Sequence, residues 1–127
     1  MTQNKKILLV EDDPDMREMI SAFLSSGPYD IVLAGSVPAA LKRLSQEGPF
    51  DLAVLDFWLG RENSISILDM IRSNNQDTPV IVISGGHHRM DLEATAAISE
   101  ISGAVVFLQK PFQKSTLLDA VATALAP

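Results

Sequence analysis

Ile7-Leu8-Leu9-Val10-Glu11-Asp12-Asp13-Pro14 is the stretch that decides the fold. Four apolar residues in succession run straight into three acids and a proline. A strand with one wet face would alternate apolar and polar side chains, whereas an unbroken apolar run marks a strand covered on both faces, as in a parallel sheet. Asp13-Pro14 then reads as a helix start, with aspartate as the N-cap and proline at the first helical position, where its missing N–H is not needed. A buried strand feeding directly into a helix is half of a βαβ unit.

The pattern repeats along the chain. Further apolar runs occupy residues 31–34 (Ile-Val-Leu-Ala), 52–55 (Leu-Ala-Val-Leu), 80–83 (Val-Ile-Val-Ile) and 104–108 (Ala-Val-Val-Phe-Leu). Helical spacing lies between and after them. Met16, Met19, Ile20, Phe23 and Leu24 form one stripe, stopped by Gly27-Pro28. Ala40, Leu41 and Leu44 form a second, with Ser36 as N-cap and Gly48-Pro49 as the stop. Ile67, Leu68 and Ile71 make a third, although Ser64-Ile65-Ser66-Ile67 also alternates as a strand does. Leu92, Ala96, Ile98 and Ile101 make a weak fourth, ended by Gly103, and Leu117, Leu118, Val121 and Leu125 a strong fifth. Five strand–helix units predict a doubly wound α/β domain over residues 1–127, a five-stranded parallel sheet with five flanking helices. The end of the chain, from Ala122 to Pro127, reads as a helix terminus rather than the start of another domain.

Composition narrows the function classes. The 127 residues carry 10 Lys+Arg against 16 Asp+Glu, a formal charge of −6, and no cysteine. Disulfides, thiolate metal sites and a cysteine nucleophile are excluded. Few, scattered basic residues argue against direct nucleic-acid binding, which depends on Lys and Arg neutralising phosphates. The apolar run after Lys5-Lys6 is too short for a signal peptide, and no stretch reaches the ~18 apolar residues of a membrane span. A soluble cytoplasmic domain is expected.

In an open α/β sheet the site lies beyond the carboxyl ends of the strands. Glu11, Asp12 and Asp13 follow the first strand, Asp56 the third, Ser84-Gly85 the fourth and Lys110-Pro111 the fifth. Carboxylates within ~4 Å repel by about 4 kcal/mol per pair at an effective dielectric near 20, which disfavours a fully ionised, empty cluster. A divalent ion removes that repulsion, and an all-oxygen donor set fits Mg²⁺. With Lys110 and Ser84 available to a phosphoryl oxygen, one of these carboxylates is equipped to accept a phosphoryl group, because such transfer is mostly positioning and charge neutralisation. Which acid is the nucleophile stays open on these grounds. Asp13 fits its capping role better. The pair His87-His88 lacks partners to complete a metal site and reads as a solvated loop.

In this order, Ile7-Leu8-Leu9-Val10-Glu11-Asp12-Asp13-Pro14, Leu55-Asp56, Val82-Ile83-Ser84-Gly85 and Leu108-Gln109-Lys110-Pro111-Phe112 resemble the response-regulator receiver domains of two-component signalling, over essentially the whole chain. The resemblance implies a flavodoxin-like strand order 2-1-3-4-5. It implies that Asp56 is the phosphorylated aspartate, that Glu11, Asp12 and Asp56 hold Mg²⁺ (or Mn²⁺) together with the backbone carbonyl of Trp58, and that the Lys110-Pro111 bond is cis. Ser84 then follows the phosphoryl group as a switch residue, Lys110 contacts it, and Phe107 stands at the switch-aromatic position, where a simple core role is equally open. Expected partners are a histidine kinase or histidine phosphotransfer protein and an output partner the sequence does not name, with a phosphorylation-dependent homodimer as one form of output and no membrane partner. Such a phosphoprotein relays a signal; it is not an enzyme beyond its own phosphorylation and slow autodephosphorylation. The alternative is a phosphorylation-independent interaction module. A flavin site lacks its phosphate-binding loop here, and a dehalogenase-type phosphatase would need a second aspartate where Trp58 stands.

The chain departs from the family pattern in three places. Gly60 stands where a proline is usual, and Asn63-Ser64 replaces an Asp-Gly turn, so a more mobile loop is expected. Phe57 and Trp58 put two aromatics beside the acceptor, with Trp58 expected to shield it from water. The segment from Ser84 to Lys110 is a few residues longer than usual, and Gly85-Gly86-His87-His88 with the helix that follows is expected to be mobile and to respecify the partner.

Overall fold

The computed structural model of the chain describes residues 4–75, 77–85 and 105–126. In chain order the elements are β1 (Lys5–Val10), α1 (Pro14–Ser25), β2 (Tyr29–Ala34), α2 (Val37–Glu47), β3 (Leu52–Asp56), β4 (Trp58–Leu59), β5 (Glu62–Asn63), α3 (Ile65–Asn74), β6 (Val80–Ser84), β7 (Val105–Gln109) and α4 (Lys114–Leu125). Five strands form one parallel sheet in the order β2-β1-β3-β6-β7. Leaving aside the two short strands β4 and β5, this is the expected order 2-1-3-4-5. Four helices flank the sheet among the described residues, not five. The fourth helix expected around Leu92 to Ile101 lies outside the described residues, as does His87-His88.

The two sheet faces carry separate apolar layers. Leu8, Val10, Ala53, Leu55 and Val82 point to the side of α2 and α3, where Ala40, Leu44, Ile67, Leu68 and Ile71 meet them. Ile7, Leu9, Val54, Ile81 and Ile83 point to the side of α1 and α4, against Ile20, Leu24, Leu117 and Val121. The alternation of side chains along each strand thus feeds both layers, which is why β1, β3 and β6 had to be apolar at consecutive positions.

That inference does not extend to the edges. Leu33 on β2 and Val106 on β7 are each about two-fifths exposed (38% and 42%), because an edge strand has a neighbour on one side only. Met19 is exposed as well, so the apolar stripe of α1 is narrower than its spacing implied; Ile20 and Leu24 are the buried pair.

Local signals place the helix ends. The Asp13 side chain accepts from Asp15 N–H at 3.0 Å, ahead of Pro14 at the first helical position. Ser36 accepts from Ala39 N–H at 3.2 Å. At α3 the ambiguous Ser-Ile-Ser-Ile stretch is helical from Ile65; its first turn is held by Asn63 Oδ1, which accepts from Ile65 N–H at 3.0 Å. The loop after β3 is ordered into the β4–β5 hairpin, with Trp58 opposite Asn63 and Leu59 opposite Glu62. Gly60, at φ +67°, takes the first of its two central positions, where a tight hairpin turn needs the left-handed region that glycine enters freely. No helix among the described residues is long and apolar enough to cross a membrane.

Leu9 is fully buried, whereas Val106 is about two-fifths exposed. Leu9→Ala should therefore lose about 2–5 kcal/mol in urea unfolding, and Val106→Ala no more than about 0.5 kcal/mol. Equal losses would contradict the division into a closed centre and open edges.

Candidate functional site

Parallel strands bring their carboxyl ends to the same edge, so residues far apart in sequence meet there. Val10 pairs with Leu55 and Asp56 with Ile83, which aligns the ends of β1, β3 and β6. Glu11 and Asp12 continue from β1, and one oxygen from each of Glu11, Asp12 and Asp56 lies within 4.8 Å of the others. Glu11 is 1% exposed and Asp56 7%; Asp12 is open to solvent.

Lys110, just past β7, reaches across this cluster. Its Nζ donates to Glu11 Oε1 at 3.2 Å and to Asp56 Oδ2 at 3.3 Å. The peptide bond between Lys110 and Pro111 is cis, as the resemblance implied. Burial alone would lower the lysine's proton affinity, but the Asp56 and Glu11 carboxylates outweigh it and hold its pKa above the usual value.

Glu11 shows the opposite strain. Burial, then a hydrogen bond to Asp56 and repulsion from it, push its carboxyl up to about 8 against the opposing pull of Lys110. Its second oxygen, Oε2, is buried with no hydrogen-bond partner. A buried carboxylate oxygen left unpaired is costly, and unpaired groups of this kind in a native site point to an absent ion or water. Three carboxylates less one ammonium leave two negative charges when all are ionised. An all-oxygen set with that charge and an orphaned buried oxygen fits a hard divalent cation.

The hairpin is attached to the same cluster. Gly60 N–H donates to Asp12 Oδ2 at 3.0 Å, a bond that a proline at this position could not make. Phe57 N–H donates to Ile83 O and Ser64 N–H to Phe57 O, each at 2.9 Å, so the segment leaving Asp56 is pinned at both ends of its turn. Trp58 lies on β4, 37% exposed, edge-on to the buried Phe57 ring at a centroid distance of 5.0 Å.

Of the residues singled out by sequence, Glu11, Asp12, Asp56 and Lys110 are brought together. Ser84 ends β6 with its backbone paired to Gln109, and its side chain lies outside the description. Phe107 is half-buried on β7 opposite Val82 and packs against the layer shared with α2 and α3. Two contacts escaped sequence reasoning. One is the Gly60 amide, read there only as a source of mobility. The other is Arg17, whose Nη1 donates to the Glu11 carbonyl at 2.9 Å; no local pattern marks it, because it depends on how α1 folds back over β1.

The raised pKa of Glu11 has a sign that can be measured. In the folded chain its carboxyl binds a proton more tightly than in the unfolded chain, where the ordinary value of 4.5 applies. Between about 4.5 and about 8 the folded form holds a proton the unfolded form has released, so metal-free stability falls as pH rises through that window. Urea midpoints taken across it in a chelator should decline more steeply in the parent than in Glu11→Gln. Parallel slopes would show that Glu11 titrates normally.

Comparison with known proteins agrees with this geometry. The response regulator receiver domain family matches residues 7–122. The chain is 33% identical over 114 residues to the nitrogen assimilation regulatory protein NtrX of Azorhizobium caulinodans, covering 88% of this chain and 24% of that protein. It is 34% identical over 121 residues to the response regulator protein PilR of Pseudomonas aeruginosa, covering 95% and 26%. The chain thus spans about a quarter of the length of these two relatives. The crystal structure of the receiver domain of NtrX from Brucella abortus superposes with a TM-score of 0.80 at 30% identity, over 94% of this chain and 97% of that one. Sheet order, strand-end acids and the extent of the match lead to one conclusion: the chain belongs to the response regulator receiver domain family of two-component signalling.

Proposed function

We propose that Asp56 accepts a phosphoryl group from a phosphohistidine on a histidine kinase or phosphotransfer protein, and that the domain relays this event by a change in its partner-binding surface. The observation that carries the proposal is the placement of Asp56. It is a nearly buried carboxylate with an ammonium 3.3 Å from Oδ2 and two further acids within 4.8 Å.

The chemistry divides among these residues. An Asp56 carboxylate oxygen attacks phosphorus; the new O–P bond forms as the N–P bond to the imidazole breaks, and the electron pair of that bond stays with the departing nitrogen. Lys110 holds Asp56 in place beforehand and offers its charge to a transferred oxygen afterwards. Glu11, Asp12 and Asp56, with the Trp58 carbonyl, would hold Mg²⁺ (or Mn²⁺). Bound there, such an ion neutralises the charge gathered on the phosphoryl oxygens. Gly60 keeps the solvent-exposed Asp12 turned toward the cluster.

Phosphorylation adds three acceptor oxygens and negative charge at a spot already short of donors. Ser84 at the end of β6 supplies one donor, and its movement toward the phosphoryl group is the first step of the response. Phe107, half-buried on the neighbouring β7, is the aromatic able to follow. The response is a shift between two arrangements already accessible to the domain. Because the two relatives described above are about four times as long, this domain is proposed to act as the input module of a larger regulator or on a separate output partner.

Incubation with a small phosphodonor such as acetyl phosphate should label the parent in a Mg²⁺-dependent manner and leave Asp56→Asn unlabelled. A parent that takes no label while still binding its partner would instead make the domain a phosphorylation-independent interaction module. In the labelled parent, Trp58→Ala should shorten the phosphoaspartate lifetime several-fold, since removing the indole opens the acceptor to water. An unchanged lifetime would remove shielding from the roles of Trp58.

A further inference from the structure

We infer that Arg17 and Gly35 together position the acidic pair and thereby set the affinity of the site for a divalent cation, a role that rests on the cation-binding reading above. Glu11 and Asp12 are adjacent, so the peptide unit between them determines how their two side chains diverge. A peptide unit is planar, and holding its carbonyl holds the whole plane. Arg17 Nη1 donates to that carbonyl, Glu11 O, at 2.9 Å. On the other side of Glu11, its own N–H donates to Ala34 O at 3.1 Å. With Gly60 N–H on Asp12 Oδ2, the dipeptide is gripped at its entry, at its middle and at the Asp12 side chain.

Arg17 is an unusual choice for this task. It sits on the first turn of α1 amid Asp12, Asp13 and Asp15, yet it forms no ion pair with any carboxylate among the described residues. The half-buried guanidinium is spent on a carbonyl. Gly35 makes the approach possible. A Cβ at Gly35 would stand 2.8 Å from Arg17 Nη1 and 3.9 Å from Glu11 O, so any side chain there displaces the guanidinium. The neighbour that must yield is the tip of a flexible side chain rather than backbone, so Gly35→Ala can fold normally with Arg17 moved aside.

Arg17 touches no ligand atom; it is a positioning residue acting through the Glu11 carbonyl. Electrostatics and positioning predict opposite signs. Removing a cation from the neighbourhood of a cation site relieves repulsion and should tighten Mg²⁺ binding, whereas releasing the Glu11–Asp12 peptide should weaken it. Contacts one step removed from a metal typically change affinity by ~10–100-fold when lost. The lower end is expected here, because Ala34 and Gly60 still grip the dipeptide.

Calorimetric titration of metal-free protein with MgCl₂ tests this. Arg17→Met, which keeps length and loses every donor, should raise the Mg²⁺ dissociation constant about tenfold. Gly35→Ala, which keeps the charge and moves it, should show the same weakening. Arg17→Lys should recover only part of the affinity, since one mobile ammonium does not reproduce the fixed guanidinium fork. Unchanged or tighter binding in Arg17→Met and Gly35→Ala, with metal-free urea midpoints lowered, would reduce Arg17 to a structural tie and overturn the inference. A parent that binds no Mg²⁺, or binds it as well as Asp12→Asn, would overturn it by removing the cation site on which it rests.

Discussion

Three carboxylates held within 4.8 Å of one another at the end of an apolar sheet are the constraint on which the rest of the molecule depends. When all three are ionised, Glu11, Asp12 and Asp56 repel one another, and two of the three are nearly out of reach of water. They stay together because they are carried by β1 and β3, whose register is locked on both sides by neighbouring strands and whose side chains are buried on both faces. Moving one acid away means moving a core strand. The apolar layers against α1 and α4 and against α2 and α3 therefore supply the force that keeps like charges crowded, and Lys110 offsets only part of the repulsion.

Around that fixed centre the attachments are lighter and more varied. Lys110 directly follows the edge strand β7 and ties Glu11 and Asp56 by two hydrogen bonds. Asp12 is held from the hairpin by a single amide. The Glu11 carbonyl is held from α1 by a single guanidinium. The last two are single hydrogen bonds and Lys110 makes two; each bond is worth on the order of 1 kcal/mol in net stability and somewhat more where a charge takes part. Such contacts are strong enough to orient a carboxylate and weak enough to be rearranged by a phosphoryl group, which offers several charge-assisted bonds at once. A rigid apolar floor with a rim of single polar contacts is the division of labour a switch requires.

The sequence exposed the floor more readily than the rim. Residues 7–10, 52–55 and 80–83 announced β1, β3 and β6 because burial on both faces leaves no position for a polar residue. Asp13-Pro14 and Ser36 announced helix starts because a cap depends only on its own few neighbours. Leu33, Val106 and Met19 misled, since side-chain chemistry does not report whether a strand is central or at an edge, or how wide a helix's buried stripe is. Glu11, Asp12, Asp56 and Lys110 were legible as strand-end residues. The amide of Gly60 and the side chain of Arg17 were not, because what they hold is set by the path of loops in space. Glycine at position 60 signalled freedom, and the fold used that freedom to aim an N–H.

On the cation-binding reading proposed above, protons and a divalent cation would compete for the same oxygens in this pocket, and Glu11 is where they would meet. Without a cation, burial together with the hydrogen bond and charge of Asp56 raises its carboxyl to about 8, which favours the protonated form at neutral pH relative to an ordinary glutamate. A bound cation requires the carboxylate and expels the proton, coupling metal affinity to pH. Lys110 pulls in the same direction as the cation, since its ammonium lowers the cost of ionising Glu11. The formal charge of −6 counts Glu11 as ionised. Without a cation, a proton on Glu11 offsets part of one of those charges; a bound divalent ion would offset two. The pocket would thus be less negative in either condition than the composition implies, and the charge that would vary is concentrated where, on the proposed reading, Asp56 admits a phosphoryl group that is itself an anion.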